Sequence, residues 1–123
     1  MTTVTQLTLS IKQGEVFDIP FVIQADGAVK DLTGAIILFE VKKVALASAS
    51  AFISKTITED SDIDSVGRIT YPESGQFQVH LNSADTSYAP YDYYLIITLI
   101  LNGQEDIISS VGNRKAVYRI CTQ

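Results

Sequence analysis

Three aspartates at alternate positions form the densest cluster of carboxylates in this sequence. They are Asp60, Asp62 and Asp64. A calcium ion needs several clustered carboxylate oxygens, and the loop that most often binds it also has glycine at its sixth position and glutamate at its twelfth. Counted from Asp60, those positions hold Ser65 and Tyr71. The pattern therefore favours a solvated acidic loop over a cation site, and we predict no metal site.

The chain has one histidine, His80, and one cysteine, Cys121. A general base or a nucleophile needs partners that hold it in place, and no sequence motif supplies them for either residue. His80 alternates with apolar neighbours in Gln76–Leu81, which predicts a water-facing position on a strand. Cys121 has no paired cysteine, which predicts a structural thiol. We therefore predict no catalytic residue and no cofactor, and we expect the protein not to be an enzyme.

Four tyrosines crowd the segment SADTSYAPYDYYL: Tyr88, Tyr91, Tyr93 and Tyr94. Aromatic rings with a polar tip are common on surfaces that bind sugars or proteins. The segment also leads from a turn into a strand, where a tyrosine hydroxyl can bond back to the loop in the tyrosine corner of Greek-key sandwiches. We favour this structural role, with Tyr91 or Tyr93 as the corner residue. Whether the cluster binds a glycan is left open.

The aspartates, the histidine, the cysteine and the tyrosines named above must be positioned by the secondary structure. The sequence contains several short segments in which every second residue is apolar. This period is typical of strands, and no segment predicts a long helix. The clearest segments are Val4–Lys12, Phe17–Ile23, Ile37–Val41 and Gln76–Leu81. In Gln76–Leu81 we expect Phe77, Val79 and Leu81 to face inward, and Tyr93–Leu101 is apolar on both faces, which predicts a central strand. Residues 44–51 fit a helical turn or a loop equally well.

Turn-forming residues separate these segments. Glycine and asparagine accept positive φ angles, and aspartate bonds to its own backbone, so each such site allows the chain to reverse. Pro20 cannot donate to a ladder, so we place it at a sheet edge or a bulge. The turn signals are Asp26-Gly27, Asp31–Gly34, Pro72–Gly75, Asn102-Gly103 and Gly112-Asn113. The spacing predicts one domain, residues 1–123, folded as an all-β, antiparallel immunoglobulin-like sandwich of about seven to eight strands, with a barrel as the less favoured alternative.

Composition restricts the classes of partner. The chain is 46% hydrophobic and 19% charged, which is typical of a folded domain. Its net charge of −5 and its nine scattered Lys and Arg residues disfavour binding to nucleic acid. The N-terminal segment lacks the basic start and apolar run of a signal peptide, and no apolar stretch is long enough to cross a membrane. We therefore predict synthesis in the cytoplasm and no membrane partner.

Several of these segments together resemble a known family. Gly14–Phe21, Asp31–Ala35 followed by Ile37–Lys43, the strand Gly75–Leu81 and the aromatic strand beginning Tyr93–Ile96 are similar to the N-terminal immunoglobulin-like domain of tailed-phage baseplate upper proteins and related small tail proteins. The resemblance covers about three quarters of the chain.

The resemblance implies a non-enzymatic structural subunit of a phage virion, in the tail or the baseplate. Such a subunit is made in the host cytoplasm and assembles with copies of itself or with other virion proteins through sheet edges and loops. The alternative class is a carbohydrate-binding or adhesin-type sandwich module. An exposed face lined by the tyrosines would distinguish the second class from the first.

Overall fold

The computed structural model describes residues 2–4, 8–43, 51–87, 91–108, 110–111, 114–115 and 117–121. Side chains are described for residues 10–43, 51–87, 93–108 and 120. Thirteen strands and one short 3₁₀ turn, Pro72–Ser74, make up the regular structure of these residues. The strands are β1 (Thr2–Val4), β2 (Thr8–Lys12), β3 (Phe17–Ala25), β4 (Ala28–Val29), β5 (Ile36–Lys42), β6 (Ile53–Ile57), β7 (Gly67–Tyr71), β8 (Gln76–Leu81), β9 (Tyr91–Leu101), β10 (Gln104–Ile107), β11 (Ser110–Val111), β12 (Arg114–Lys115) and β13 (Val117–Cys121).

Two sheets pack face to face, which confirms the predicted all-β sandwich. Sheet 1 has the order β1-β3-β8-β7, and β4 pairs with β3 at one end. Sheet 2 has the order β2-β13-β9-β5-β6, and β10 pairs with β9. Strands β11 and β12 form a separate two-stranded antiparallel sheet.

The first predicted strand, Val4–Lys12, is divided between the two sheets. Strand β1 pairs with β3 in sheet 1, whereas β2 pairs with β13 in sheet 2. The β2–β13 pairing is parallel, an exception to the antiparallel pairing that we expected. A strand at the corner of a sandwich can leave one sheet for the other. Alternation along the sequence cannot detect this change, because the two sheets enclose one core and the period of two is the same in both.

The segment between the predicted turns Asn102-Gly103 and Gly112-Asn113, in which we expected one strand from about Glu105 to Val111 to pair back, is also divided. Strand β10 pairs with β9 as far as Ile107, and the Ile108 amide donates to the Ile97 carbonyl at 2.9 Å. Strands β11 and β12 then pair with each other, and β13 pairs with the same edge of β9 as β10 does, with Val117 opposite Tyr94. In the sequence, β11 and β12 therefore lie between two strands that share one edge of β9.

Three phenylalanine rings lie at the centre of the core. Phe21 stacks on Phe77 within sheet 1, with ring centroids 4.9 Å apart, and lies 6.4 Å from Phe39 of sheet 2. The alternation predicted for Gln76–Leu81 is confirmed, since Phe77, Val79 and Leu81 are all buried. The other fully buried large side chains are Ile11, Ile23, Leu32, Ile37, Ile57, Ile97 and Ile108.

Strand β9 is central in sheet 2, as predicted. It pairs with β5 along one edge and with β13 and β10 along the other. Its inward side chains are buried, but its outward face is only partly covered: Tyr94 is 38% exposed. The expectation of a strand covered on both faces is therefore met on one face only.

Two of the predicted turns are hairpins with positive φ at both central residues, as a type I′ turn requires. The φ angles are 53° and 84° at Asp26-Gly27 and 54° and 78° at Asn102-Gly103. The Pro72–Gly75 turn is the 3₁₀ turn, ended by Gly75 with φ 70°. Two other regions singled out in the sequence, residues 44–50 and Gly112-Asn113, lie outside the described residues.

The turn before β5 is held by an aspartate, as predicted. Asp31 Oδ1 accepts hydrogen bonds from the Thr33 hydroxyl at 2.6 Å and from the Thr33 amide at 2.9 Å. These bonds stabilise the carboxylate, so the pKa of Asp31 lies below its ordinary value. The Gly34 amide then donates to Glu59 Oε2 at 2.9 Å, which joins this turn to the start of the acidic loop.

Pro20 lies in a part of β3 where the described pairing is one-sided. It pairs with Gln78 of β8, whereas pairing with β1 involves only Ile23 to Ala25. The predicted edge position of Pro20 agrees with this arrangement, because proline has no amide hydrogen to donate to a second neighbour.

Candidate functional site

The acidic loop between β6 and β7 bonds mainly to itself. The Asp62 carbonyl accepts hydrogen bonds from the amides of Ser65, Val66 and Gly67, and Asp62 Oδ1 accepts from the Asp64 amide at 3.0 Å. The side chains of Asp60, Asp62 and Asp64 are exposed. Among the described residues, no group of three or more His, Cys, Asp or Glu side chains is placed to hold a metal ion. The geometry is that of a polar turn, and the solvated loop stays our prediction.

His80 pairs with an aspartate on the outer face of sheet 1. Its Nδ1 lies 2.7 Å from Asp18 Oδ1, and the two residues are directly opposite on β8 and β3. The His80 side chain faces outward as predicted, but only 13% of it is exposed, against 52% of Asp18. Neither residue lines the groove of about 560 Å³ that lies on the same outer face of sheet 1. The Cys121 side chain lies outside the described residues, so its role as a structural thiol stays a prediction.

The tyrosine cluster does not form one surface in the part of the chain that is described. Tyr93 faces the core, is 5% exposed and packs edge-on against Phe52 at 4.8 Å between centroids, whereas Tyr94 faces outward. Tyr88 and the Tyr91 side chain lie outside the described residues. The inward position of Tyr93 fits a structural role, and the tyrosine corner itself stays a prediction.

Sequence reasoning did not single out a buried ion pair beside the core. Lys55 faces inward on β6 between Ile53 and Ile57 and is 8% exposed. Its Nζ lies 2.7 Å from Asp85 Oδ2 and donates to the Ser65 carbonyl at 3.0 Å. The sequence signal was present, since alternation places Lys55 on the apolar side of its strand. The pair ties together three segments that are distant in the sequence.

A groove of about 560 Å³ lies on the outer face of sheet 1. Two rows of three outward-facing residues cross the sheet there, one on each of β3, β8 and β7. The first row is Pro20, Gln78 and Arg68, and the second is Val22, Gln76 and Tyr71. All six residues line the groove, with Ile63 and Thr70 at its side.

A β-bulge places Tyr71 in this groove. Ile69 pairs with Phe77 and faces the core, so strict alternation would turn Tyr71 inward as well. The register shifts between Ile69 and Tyr71, which brings Tyr71 opposite the outward-facing Gln76. Tyr71 is consequently 65% exposed. Bulges that turn one side chain to the other face of a sheet are common beside binding sites. The sequence of this strand contains no signal that predicts a bulge.

The outer face of sheet 2 carries a band of apolar side chains, which we call the apolar band. Its members lie on β5, β9 and β10 and are joined by cross-strand pairs such as Ile36 with Ile100. They are Ile36, Leu38, Tyr94, Ile96, Ile100 and Ile107. Ile107 is 59% exposed and lies directly opposite Thr98, itself opposite Leu38. Glu40, opposite Ile96, and Lys42, opposite Tyr94, border the band on β5, and its apolar side chains lie on three neighbouring strands.

The fold and these surfaces define a β-sandwich with a groove on one outer face and the apolar band on the other. Compared with known protein families and with curated proteins, the chain matches none of them. Among the residues that the structure describes, none forms a helix long and apolar enough to span a membrane.

Proposed function

We propose that this protein is a non-enzymatic structural subunit of a phage virion, in its tail or baseplate. In this function it associates with copies of itself and with neighbouring virion proteins. The observation that carries the proposal is the apolar band on sheet 2. Exposed apolar side chains weaken solubility unless a partner covers them, and surfaces of this kind are typical of association sites.

The apolar band has the distribution of apolar and charged residues that is typical of an association surface. Its most exposed member is Ile107, at 59%, and the half-buried Leu38, Ile96 and Ile100 extend it over the sheet. Glu105, which lies opposite Ile100, adds a charged residue at its rim. An apolar centre with a polar rim is the usual arrangement in protein interfaces.

Two of the described sheet edges are less suited to association than this face. Edge strand β6 carries the inward-pointing Lys55, and β10 carries the adjacent acids Glu105 and Asp106. Charges of both kinds discourage the addition of a neighbour's strand. We therefore assign association to the apolar band and not to strand exchange at these edges.

The order of the strands supports the resemblance to an immunoglobulin-like tail domain. In immunoglobulin-like sandwiches one sheet has the order A-B-E-D and the other G-F-C, extended by C′. The path β1-β3-β8-β7 corresponds to the first order, and β13-β9-β5-β6 corresponds to the second. The division of the first strand between the two sheets is also compatible with an immunoglobulin-like sandwich.

The environment of the ionisable groups supports a role without catalysis. Lys55 is bonded to Asp85 and to a backbone carbonyl, and the His80–Asp18 pair lies outside the groove on its own face. A general base must lie within hydrogen-bond reach of a bound substrate. These two pairs are therefore better explained by the stability of the sandwich than by chemistry.

Quantitative mass spectrometry of purified phage particles from the strain that carries the gene tests the proposal. We expect peptides of this chain at a fixed ratio to the tail proteins after particle purification. An abundant cytoplasmic host protein, followed through the same steps, serves as the control and should be lost. Recovery of the chain only outside the particles, together with the host control, would contradict a virion role.

A further inference from the structure

The groove on the outer face of sheet 1 offers several polar groups to a ligand. Arg68 donates its Nε hydrogen to the Ser61 carbonyl at 2.8 Å, which fixes the plane of the guanidinium group. Among the described residues, its terminal nitrogens have no hydrogen-bond partner, and neither do the side-chain amides of Gln76 and Gln78. A fixed guanidinium beside two unpaired amides is a preorganised set of donors and acceptors.

Tyr71 adds an aromatic surface to these polar groups. It lies opposite Gln76 and is the most exposed large side chain of the groove, at 65%. Pro20 and Val22 supply apolar contact on the other side of β8. An aromatic platform combined with planar polar side chains suits a sugar ring, which has an apolar face and hydroxyl groups at its edge.

The backbone of β8, beneath the groove, is already paired with a strand on each side. Strand β8 lies between β3 and β7, and Gln76 and Gln78 are paired with both neighbours. A peptide bound over β8 could not add to it as a strand, which is the usual way in which a sheet binds an extended chain. Recognition must therefore come from side chains, which favours a compact ligand with many hydroxyl groups over a peptide.

The charge of the groove points to an acidic ligand. Among the described residues, Arg68 is the one charged residue that lines it, although the chain as a whole has a net charge of −5. A neighbouring groove, which shares Thr70 and Tyr71 with this one, is lined by Glu59 and Glu73. The planar fork of a guanidinium group matches a carboxylate better than any neutral group does.

We propose that this groove binds a saccharide unit that carries a carboxylate, with Arg68 on the carboxylate, Gln76 and Gln78 on hydroxyl groups, and Tyr71 against the sugar ring. This site is separate from the tyrosine cluster of the β9 region and lies on the opposite outer face from the apolar band.

Titration of the isotope-labelled protein with 3′-sialyllactose and with a hyaluronan tetrasaccharide, followed by NMR, tests this proposal. We expect saturable shifts confined to β7, β8 and the facing part of β3 for at least one of them, with a Kd of about 1 mM. Lactose, which lacks the carboxylate, should bind at least about tenfold more weakly. An acidic tripeptide serves as the probe for the competing class of ligand.

Two variants and one control locate the site. Tyr71→Ala and Arg68→Gln should each weaken binding about tenfold or more, whereas Tyr94→Ala, on the other sheet, should leave it unchanged. Because Tyr71 is exposed, its variant should fold even if Arg68→Gln does not, and it then decides the result. The proposal is overturned by an absence of saturable shifts up to about 20 mM of both acidic saccharides. Equal binding of lactose, tighter binding of the tripeptide in the groove, or full binding by Tyr71→Ala would overturn it too.

Discussion

Replacing Gly67 by alanine is expected to lower the free energy of unfolding by about 4 kcal/mol or more, which is a large part of the stability of a domain of this size. Gly67 has a φ of +113°, and a Cβ atom there would lie 2.0 Å from the Gln78 carbonyl oxygen and 2.8 Å from the Val79 Cα. Both atoms belong to the backbone of β8, which is paired on both sides. Relief of the clash therefore requires moving the start of β7, an edge strand of sheet 1, away from β8 and breaking its pairing there.

Urea denaturation measures this effect, with an expected decrease of about 2 M in the midpoint. Gly27→Ala is the matched control, since Gly27 also has a positive φ, of +84°, but no atom within 4 Å of the added Cβ. The free energy of unfolding of this variant should fall by only about 1 kcal/mol, which is the cost of a left-handed conformation for a residue with a side chain. Equal losses in the two variants would show that Gly67 is not held against β8 as described.

Replacing Asp85 by alanine is expected to lower the free energy of unfolding by about 3 kcal/mol, because the Lys55 side chain would be left in a nearly buried position without its carboxylate partner. Asp85 Oδ2 lies 2.7 Å from Lys55 Nζ and also accepts a hydrogen bond from the Asn82 amide at 2.9 Å. The lost stability thus includes the contribution of this hydrogen bond to the turn between β8 and β9. Urea denaturation at neutral pH is the measurement.

The double variant Lys55→Met, Asp85→Ala separates the two contributions. Removing both charges should recover most of the loss, since a buried ion pair is often replaced by apolar side chains at little cost. Asp64→Ala, which removes an exposed carboxylate, should change stability by less than about 0.5 kcal/mol. If the double variant is as unstable as Asp85→Ala alone, an unpaired Lys55 charge is not the cause.

The alternation of the sequence was sufficient to predict the sandwich and much of its core. Phe21, Phe39 and Phe77 lie at inward positions of clearly alternating strands, and inward burial follows directly from the period of two. The turns at Asp26-Gly27 and Asn102-Gly103 could be predicted for a similar reason, because their positive φ angles need these residue types.

The two outer faces could not be predicted in the same way. Tyr71 reaches the groove only through a shift in register, and register is set by pairing with another strand, which is not visible in the strand's own sequence. The apolar band depends on β5, β9 and β10 being neighbours, so Ile36 and Ile107 become parts of one surface only in the folded sheet. The transfer of the first strand between sheets escaped prediction because both sheets face one core.

Sedimentation equilibrium of the purified protein tests the central claim, association through the apolar band. We expect a monomer at about 10 µM and self-association at about 1 mM, which is stronger at high salt because salt screens the repulsion between copies. That repulsion arises from the net charge of −5. Ile107→Asp should remain monomeric, whereas Val29→Asp, at a strand position 53% exposed in sheet 1, should associate like the wild type. A wild-type protein that is strictly monomeric at the highest concentration, or an Ile107→Asp variant that associates equally well, would contradict the account.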